Sequence, residues 1–436
     1  MRKTSSARMA MNGRFKIFSD PVHGFISIPR GLVLDLVASP EVQRLRRIRQ
    51  LGIGHMVFPG AEHSRFGHAL GAMALMHDAL SSLSEKGTDI SAEEIQAAQI
   101  AALLHDVGHG PFSHTLEHEL LTDFNHEQMS RALLARLNRR FGGQLEMALA
   151  MFDDTYERCW FNDLISSQLD MDRLDYLRRD SYYTGVVEGR VGVGRIIKTL
   201  RVHPGSTPSD DRIVVEAKGS YAVENFLIAR RLMYWQVYLH KTVLSGDLLL
   251  RSVIRRVRKH LAEGQDQIVA GASESFLYFL RNGYTGADVH QAEVQNHYVA
   301  LDDTDIIYSL KIWQNSSDSV LADLAQRMLE RNFFRVDYRI DDDRFASGSM
   351  KEKIGAYLLK AGLSDTSSVE EDVSYYLHRS QSTHEAYDAT ENTIGVLNRF
   401  GRIDELSISD DVGVVSGLAQ RQTRPFICFP KEVDSH

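Results

Sequence analysis

Residues 105–114 read HDVGHGPFSH and directly follow an apolar helical run over residues 97–104. His105 and His109 are four positions apart, so in a helix they project from the same face. The glycines and the proline in this stretch end the helix and let the backbone approach a ligand closely. Burying His105 beside the carboxylate of Asp106 costs desolvation free energy unless a cation compensates, and a divalent metal supplies that cation. The stretch therefore predicts a metal site at the end of a helix.

Two further segments offer ligands of the same kind. Residues 62–68 (EHSRFGH) open a helix whose later apolar positions place His68 near the side that faces the core. Residues 164–180 carry acids between leucines and a methionine, so some of these acids must point inward, where they need a metal or a basic partner. These acids are Asp170, Asp172, Asp175 and Asp180.

Composition and charge limit the class of protein. A chain of 436 residues, 43% hydrophobic and 25% charged, is typical of a soluble globular protein with two or three domains. The formal charge of -8 means that nucleic-acid binding would have to be local. Two cysteines are too few for a disulfide framework or a thiolate zinc site, which favours a reducing compartment. Because we find no membrane helix or secretory signal, we expect a cytoplasmic protein with no membrane partner.

The apolar periodicity divides the chain into three regions. Residues 1–15 are predicted to be a basic tail, residues 16–330 a helical core, and residues 331–436 a small α+β region. Two β-branched runs at 199–203 and 212–216, around a proline-containing turn, predict a hairpin inserted between helices. The C-terminal region has extended candidates at residues 333–340, 412–416 and 425–430. The fold class expected from these patterns is mainly α.

Two basic stretches are predicted to be solvated helix faces. One contains Arg44, Arg46, Arg47 and Arg49, and the other runs from Arg251 to His260. The first leaves open a role in binding an effector phosphate or in subunit contact. The second leaves open local binding of nucleic acid.

The order of the candidate ligands resembles a known family. A His, a His-Asp pair and a distant Asp, found here as His68, His105-Asp106 and Asp172, resemble the four ligands of the HD-domain metal phosphohydrolases. HDxGHGPFSH, with SRFxHxLG upstream and DMDRLDYLRRD downstream, resembles more narrowly the dNTP triphosphohydrolases, which include bacterial dGTP and dNTP hydrolases and their human SAM-and-HD-domain relative. The resemblance covers about residues 16 to 250 and implies a helical HD-domain core.

The resemblance implies a bound divalent transition metal. Its ligands would be His68, His105, Asp106 and Asp172, and two histidines with two aspartates suit Fe, Mn, Co, Ni or Zn. Such an ion lowers the pKa of bound water and withdraws charge from the phosphoryl group under attack. A second ion, Mg on the substrate phosphates, stays open.

The resemblance also implies a reaction. Water attacks the α-phosphorus of a dNTP, and deoxynucleoside and inorganic triphosphate are released, with a preference for dGTP left open. The proton-transfer group corresponds to His126 and the acid that orients it to Glu117. His114 is a competing general acid, and the sequence does not separate it from His126.

Further side chains are expected around the substrate. A triphosphate needs a cluster of cationic donors. The candidates for this cluster are Arg65, His109, His114, Arg173, Arg230 and Lys241. By resemblance, the candidates near the sugar and base are Gln50, Leu51, Tyr176, Asp180 and Tyr238.

Relatives of this kind assemble as dimers, tetramers or hexamers, so we expect a homo-oligomer, with a nucleotide effector at a subunit interface as a further option. An acid that reads guanine in the human relative's regulatory pocket corresponds here to Ala38, which argues against the same activation by GTP. Two other functions stay open: a catalytically weak nucleotide-binding regulatory protein, and an HD-type phosphodiesterase or nuclease. Nucleic acid is not the expected partner.

Overall fold

The computed structural model describes residues 14–207, 210–339, 347–388, 393–406 and 414–435. Helices dominate these residues, which confirms the predicted mainly α class. Nearly all of the predicted basic tail lies outside the described residues. No described helix is both long and apolar enough to cross a membrane.

Arg65–Glu85 and Lys241–Ala262 are the two longest described helices. The other described α-helices before residue 241 are Leu32–Val37, Pro40–Gln43, Ala92–Leu104, Glu117–Leu120, His126–Arg140, Glu146–Phe152, Trp160–Ile165, Met171–Thr184, Val193–Thr199 and Ser220–Met233. Those that follow are Asp266–Val269, Glu274–Arg281, Ala292–Ala300, Asp303–Trp313, Ser319–Leu329, Ser347–Lys360, Val369–Tyr376 and Val414–Leu418.

Local sequence marks the ends of the helices that carry the predicted site. Ala92–Leu104 begins with a capping box, in which the Ser91 hydroxyl accepts the N–H of Glu94 and the Glu94 carboxylate accepts the N–H of Ser91. Met171–Thr184 begins with an aspartate cap and ends at Gly185, whose φ of 77° is left-handed. Of these caps, the Asp170 cap fixes the N-terminus of the helix whose first turn carries Asp172.

Three helices pack together and bring the site residues to one place. Arg65–Glu85 packs against both Ala92–Leu104 and Met171–Thr184. From residue 97 onward, every residue of Ala92–Leu104 is buried. This helix therefore lies inside the core and carries the HDVGHGPFSH stretch into the interior.

The sequence patterns do not predict an N-terminal hairpin that the structure contains. Strands Phe15–Asp20 and Gly24–Pro29 pair antiparallel. One face of this hairpin carries Phe15, Ile17 and Phe25, all exposed. Because apolar residues lie on both faces, the alternation of polar and apolar residues that marks a half-buried strand is missing.

The predicted inserted hairpin is confirmed, within a larger sheet. Leu200–His203 pairs antiparallel with Arg212–Glu216. Gly395–Leu397 pairs parallel with Arg212–Glu216, and Ile403–Glu405 extends the sheet. Pairing between segments so far apart in the chain has no local pattern, so the sequence does not predict it.

The C-terminal strands are partly as predicted. Arg335–Asp337, Gln422–Phe429 and His378–His384 form an antiparallel sheet with Gln422–Phe429 in the middle. The extended segment predicted at 412–416 is wrong where it is described, because Val414–Leu418 is a helix. A short apolar run does not distinguish a strand from a helical turn. Residues 340, 412 and 413 of these predictions lie outside the described residues.

The basic stretches are less solvated than predicted. Arg44 is 1% exposed and donates hydrogen bonds to the carbonyl oxygens of Val107 and His109, at 3.0 and 2.8 Å. Arg256 is also buried and forms ion pairs with two aspartates of other segments. The prediction is wrong for these two arginines, because their partners lie far along the chain and the spacing of charges does not reveal them.

Candidate active site

Histidine and aspartate side chains from three helices converge. His68 lies in the first turn of its helix, His105 at the C-terminus of the next, and Asp172 in the first turn of the third. Nε2 of His68 and Nε2 of His105 lie 3.0 and 3.5 Å from Oδ1 of Asp172. The carboxylate oxygens of Asp106 lie 3.6 Å from Nε2 of His68 and 3.4 Å from Nε2 of His105. The structure thus brings together the four predicted ligands, named the metal cluster below.

The nitrogens that face the centre of the metal cluster suit a cation. Nε2 of His68 and Nε2 of His105 are buried, and neither has a hydrogen-bond partner among the described residues. Nδ1 of His68 is 2.8 Å from Oδ2 of Asp175, and Nδ1 of His105 is 2.7 Å from the carbonyl oxygen of Ala102. These oxygens accept the Nδ1 protons, so Nε2 is the atom of each ring that a metal ion can bind once it displaces the proton there. Two imidazoles and two carboxylates therefore fit a divalent transition metal.

The electrostatics of the metal cluster favour positive charge. Burial lowers the pKa of His68, but the carboxylates of Asp172 and Asp175 outweigh burial and raise this pKa to about 10. At His105 burial is likewise outweighed by Asp106 and Asp172, which raise the pKa to about 9. Burial raises the pKa of Asp172, but the two histidines outweigh it and lower that pKa. The cluster therefore attracts a cation, either a proton or a metal ion.

Behind His68 lies a buried network around Asp175, one of the acids expected to point inward or to need a basic partner. Asp175 accepts a hydrogen bond from Nε of Arg179 at 2.8 Å, and Nε2 of His23 in the N-terminal hairpin lies 2.5 Å from its Oδ1. A Cβ at Gly71 would lie 2.0 Å from Oδ1 of Asp175, so glycine is required for this approach. The spacing of Asp175 and Arg179 by one helical turn is the pattern that predicts their ion pair.

Asp106 also borders a second group of ionisable side chains. Ligand atoms of Asp106, His109 and His126 all lie within 4.8 Å of one another, and the rings of the two histidines stack with centroids 3.7 Å apart. Nδ1 of His126 is 2.9 Å from Oε1 of Glu117, which also accepts the backbone N–H of His126 at 2.6 Å. Burial and the nearby Arg65 hold the pKa of His109 well below its usual range. The carboxylate of Glu117 therefore orients the ring of His126.

Asp106 and Asp172 of the metal cluster line one cavity of about 500 Å³ together with His126. The predicted substrate residues that line this cavity are Gln50, Leu51, Arg65, His109, Arg173, Tyr176, Asp180 and Tyr238. Its wall also contains Tyr234 and Asp247, which the sequence patterns did not select. The side chain of His114 lies outside the described residues.

The structure does not bring Arg230 and Lys241 to this cavity. Nη1 of Arg230 donates to the carbonyl oxygen of Ala386 at 3.0 Å, beside a separate cavity of about 270 Å³ that Arg173 also borders. Lys241 is exposed at the start of its helix and borders a further cavity. Their basic character suggested a phosphate contact, but it does not determine the direction in which each side chain leaves its helix.

Tyrosines and an aspartate form another part of the cavity wall. Tyr238 donates to Oδ2 of Asp180 at 2.8 Å, and Nε2 of His63 lies 2.8 Å from Oδ1 of Asp180. Tyr238 belongs to the π-helical turn Tyr234–Tyr238, a distortion that is frequent at functional sites. The ring of Tyr176 lies edge-on to that of Tyr238, with centroids 6.1 Å apart. The wall therefore offers flat apolar rings beside fixed polar atoms.

Two family models match the chain. The HD domain model matches residues 65–179, a range that contains the metal cluster, Glu117 and His126. The HD associated region model matches residues 191–289.

Similar proteins include one that spans nearly the whole chain. The uncharacterized protein YwfO of Bacillus subtilis is 32% identical over 432 residues, which cover 96% of this chain and 93% of that protein. The deoxynucleoside triphosphate triphosphohydrolase SAMHD1 homolog of Dictyostelium discoideum is 29% identical over 254 residues, which cover 54% of this chain and 48% of that protein.

A solved structure supports the same relationship. The crystal structure of a phosphohydrolase from Bacteroides thetaiotaomicron matches with a TM-score of 0.87 and 40% identity, over 95% of this chain and 99% of that chain. The matched ranges, the hydrolase relatives and the donors for a divalent metal agree with one another. This chain therefore belongs to the HD-domain family of hydrolases, in the group whose relatives include the SAMHD1 deoxynucleoside triphosphate triphosphohydrolases.

Proposed function

We propose that this protein is a metal-dependent dNTP triphosphohydrolase, which converts a dNTP and water into a deoxynucleoside and inorganic triphosphate. The observation that carries the proposal is the metal cluster, in which Nε2 of His68 and Nε2 of His105 have no hydrogen-bond partner among the described residues. Its Asp106 and Asp172 line the same cavity as His126, which is bonded to Glu117. The SAMHD1 relatives, whose names state this activity, support the substrate class.

The metal cluster is the proposed site of the ion. When bound, a divalent cation supplies Lewis acidity to a phosphoryl oxygen and makes hydroxide available near neutral pH. Asp175 and the carbonyl group of Ala102 keep His68 and His105 in the tautomer that a ligand requires. The donor set suits Fe, Mn, Co, Ni or Zn, and a second ion, Mg on the phosphates, belongs to the same proposal.

His126 is the proposed general acid. Attack of water on the α-phosphorus breaks the bond to the 5′ oxygen, and the leaving nucleoside oxygen needs a proton. Because Nδ1 of His126 is bonded to Glu117, the carboxylate fixes the orientation of the ring, and Nε2 is the atom that delivers the proton. His109 is a poorer acid for this step, because its pKa lies well below its usual range and the ring is neutral.

Arg65 and Arg173 are the proposed contacts of the triphosphate in the main cavity. Arg65 is held in place by Asp106 and Ser113, at 2.5 and 2.8 Å. A guanidinium group has five N–H donors, so these two bonds leave donors for phosphate oxygens. His114 remains a candidate for the same role.

Tyr176, Asp180 and Tyr238 are the proposed contacts of the deoxyribose, with Gln50 and Leu51 near the base. Each carboxylate oxygen of Asp180 accepts one hydrogen bond within the protein. Since such an oxygen can accept two, Asp180 can still bind the 3′-hydroxyl of the substrate. Packing of a tyrosine ring against C2′ would exclude ribonucleotides.

A nuclease is less well supported, because the basic stretch Arg251–His260 is engaged within the protein. Arg256 pairs with aspartates, while Arg251 and Arg258 donate to backbone carbonyl oxygens. These bonds satisfy charges that a nucleic acid would otherwise neutralise. A dGTP preference, a homo-oligomeric assembly and a nucleotide effector at a subunit interface belong to the main proposal.

Metal analysis combined with product identification tests the proposal. The metal-loaded protein is incubated with each dNTP alone, with mixtures of dNTPs, and with ribonucleotides as the control. We expect equal amounts of deoxynucleoside and triphosphate from at least one dNTP. Ribonucleotides should release neither nucleoside nor triphosphate. The absence of triphosphate release from every dNTP, alone or mixed, would overturn the proposal. Changes in oligomeric state on nucleotide addition, without product, would favour the regulatory alternative.

A further inference from the structure

The turn that follows His105 and Asp106 has a constrained backbone. Phe112 and Ser113 have φ values of 47° and 34°, in the left-handed region that residues other than glycine rarely adopt. Both residues line the active cavity, and the Ser113 hydroxyl accepts a hydrogen bond from Arg65. Such a conformation persists only when the surrounding structure holds it.

Side chains from distant segments hold this turn. Arg44 donates to the carbonyl oxygens of Val107 and His109, and the hydroxyl of Tyr298 donates to the carbonyl oxygen of Gly108 at 2.7 Å. The guanidinium carbon of Arg44 lies 5.1 Å from the centre of the Tyr298 ring. Three successive carbonyl groups of the turn are therefore bonded to side chains from outside it.

Asp303 contacts two walls of the cavity at once. Its Oδ1 accepts the N–H of Phe112 and its Oδ2 accepts the N–H of Arg49, both at 2.9 Å. Phe112 belongs to the turn beside the metal cluster, and Arg49 directly precedes Gln50 and Leu51 on the cavity wall. One carboxylate, 2% exposed, therefore links the wall with the metal donors to the wall proposed for the base.

The helix Asp303–Trp313 does not need this carboxylate. Its N-cap is Asp302, whose side chain accepts the N–H of Thr304 in a capping box. Burial raises the pKa of Asp303 to about 6, so at pH 8 the group is an ionised double acceptor. A buried carboxylate is costly unless its hydrogen bonds are made. Here both bonds go to the cavity walls.

We infer that Asp303 is a positioning residue, whose two hydrogen bonds fix the distance between the metal cluster and the wall that receives the nucleoside. This inference rests on the proposed function. An intact dNTP must meet both walls at the same time, whereas a fragment meets only one. Loss of the link therefore affects the reaction of the whole substrate more than the binding of its parts.

Asp303→Asn tests the inference, because it keeps the side-chain shape but turns an NH₂ group toward one of the two backbone N–H groups. At pH 8, with the dNTP that the wild type hydrolyses fastest, we expect kcat to fall about 100-fold. The inhibition constants of inorganic triphosphate and of the deoxynucleoside should each change by less than about threefold, with wild-type metal content. Asp302→Asn is the matched control, since Asp302 is similarly buried and contacts Arg47 and its own helix.

Two results would overturn the inference. One is a kcat for Asp303→Asn within about threefold of the wild type. The other is a loss of metal or of inhibition by both fragments, which would show a collapsed site rather than a shifted wall. If Asp303→Asn does not fold, Asp303→Glu tests the inference instead. This variant keeps the charge and both acceptor oxygens but lengthens the side chain by a methylene group. We then expect kcat to fall about tenfold with fragment inhibition unchanged, and an unchanged kcat would overturn the inference.

The same experiment separates the two proposals. A wild-type protein that releases no triphosphate overturns the proposed function. An active wild type beside an equally active Asp303→Asn overturns only the role of Asp303.

Discussion

Two histidine groups meet at Asp106, and the fold gives them opposite environments. In the metal cluster the side chain of His68 is 0% exposed, its Nδ1 is bonded to Asp175, and its Nε2 faces other metal donors. The side chain of His126 is 23% exposed, and its Nδ1 is bonded to Glu117 beside the cavity. A buried imidazole of the first kind suits a fixed ligand, and a partly exposed one of the second kind suits proton transfer. Burial and the position of the carboxylate thus distinguish two roles of one residue type.

Removal of the shared carboxylate of the metal cluster should have the largest effect. We expect Asp172→Ala to abolish turnover and to lower metal affinity by more than about 100-fold, since loss of an outer partner alone costs roughly 10- to 100-fold. Elemental analysis and triphosphate release, measured on one sample, report both losses. Glu85→Ala, an exposed acid on the helix of His68, is the control. Full metal content in Asp172→Ala would show that the ligand assignment is wrong.

Removal of His126 should lower turnover without lowering the metal content. We expect His126→Ala to lower kcat by about 10²- to 10⁴-fold and to retain its metal, because its proposed role is proton transfer and its ring lies outside the metal cluster. Timed assays of triphosphate release measure kcat, and elemental analysis of the same sample measures the metal content. His118→Ala, which changes an exposed histidine nearby, should remain active. If His114→Ala loses more activity than His126→Ala, His114 is the general acid.

A change behind His68 should weaken the metal cluster without removing a ligand. We expect Asp175→Asn to lower metal affinity by about 10- to 100-fold, because His68 loses the charged acceptor at Nδ1. Competition with a chelator measures this affinity. Asp163→Asn is the control, because Asp163 accepts the N–H of Ile213 in another part of the fold. Equal affinities in the two variants would contradict the comparison.

The metal affinity should also depend on pH. The pKa values of His68 and His105 are raised to about 10 and 9, so below pH 9 an incoming ion must displace protons. Its apparent affinity should rise by up to about tenfold per pH unit for each proton displaced. Titrations of the metal-free protein between pH 6 and 8 measure this slope, and an affinity independent of pH would contradict it.

The same raised pKa values affect the stability of the metal-free protein. Both lie above the unfolded value of 6.5, so the two imidazolium groups stabilise the fold fully below pH 6.5. This contribution is lost as the pH rises through 9 to 10. Urea unfolding of the metal-free protein across this range measures the loss.

The metal cluster could be predicted because short motifs carry it. His105 and Asp106 are adjacent, and His68 and Asp172 each lie in the first turn of a helix with a clear apolar pattern. The contacts of Arg44 could not be predicted in this way, because a buried arginine that bonds backbone carbonyl groups has no pattern of its own. Its charge alone predicted a side chain exposed to solvent.

The same contrast between local and distant contacts explains which elements of the C-terminal region could be predicted. Helices there follow local periodicity, whereas the pairing of Gly395–Leu397 with Arg212–Glu216 depends on tertiary packing. The helix Val414–Leu418 is too short for its periodicity to differ from that of a strand.

The pairing of Arg212–Glu216 with Gly395–Leu397 has a consequence for biosynthesis. The second strand leaves the ribosome about 180 residues after the first, which at roughly 5 to 20 residues per second is a delay of about 10 to 40 seconds. During this interval one edge of Arg212–Glu216 has unpaired N–H and C=O groups that can pair with another nascent chain. We therefore expect the yield of folded protein in the cell to depend on how well this edge is shielded until Gly395–Leu397 has been synthesised.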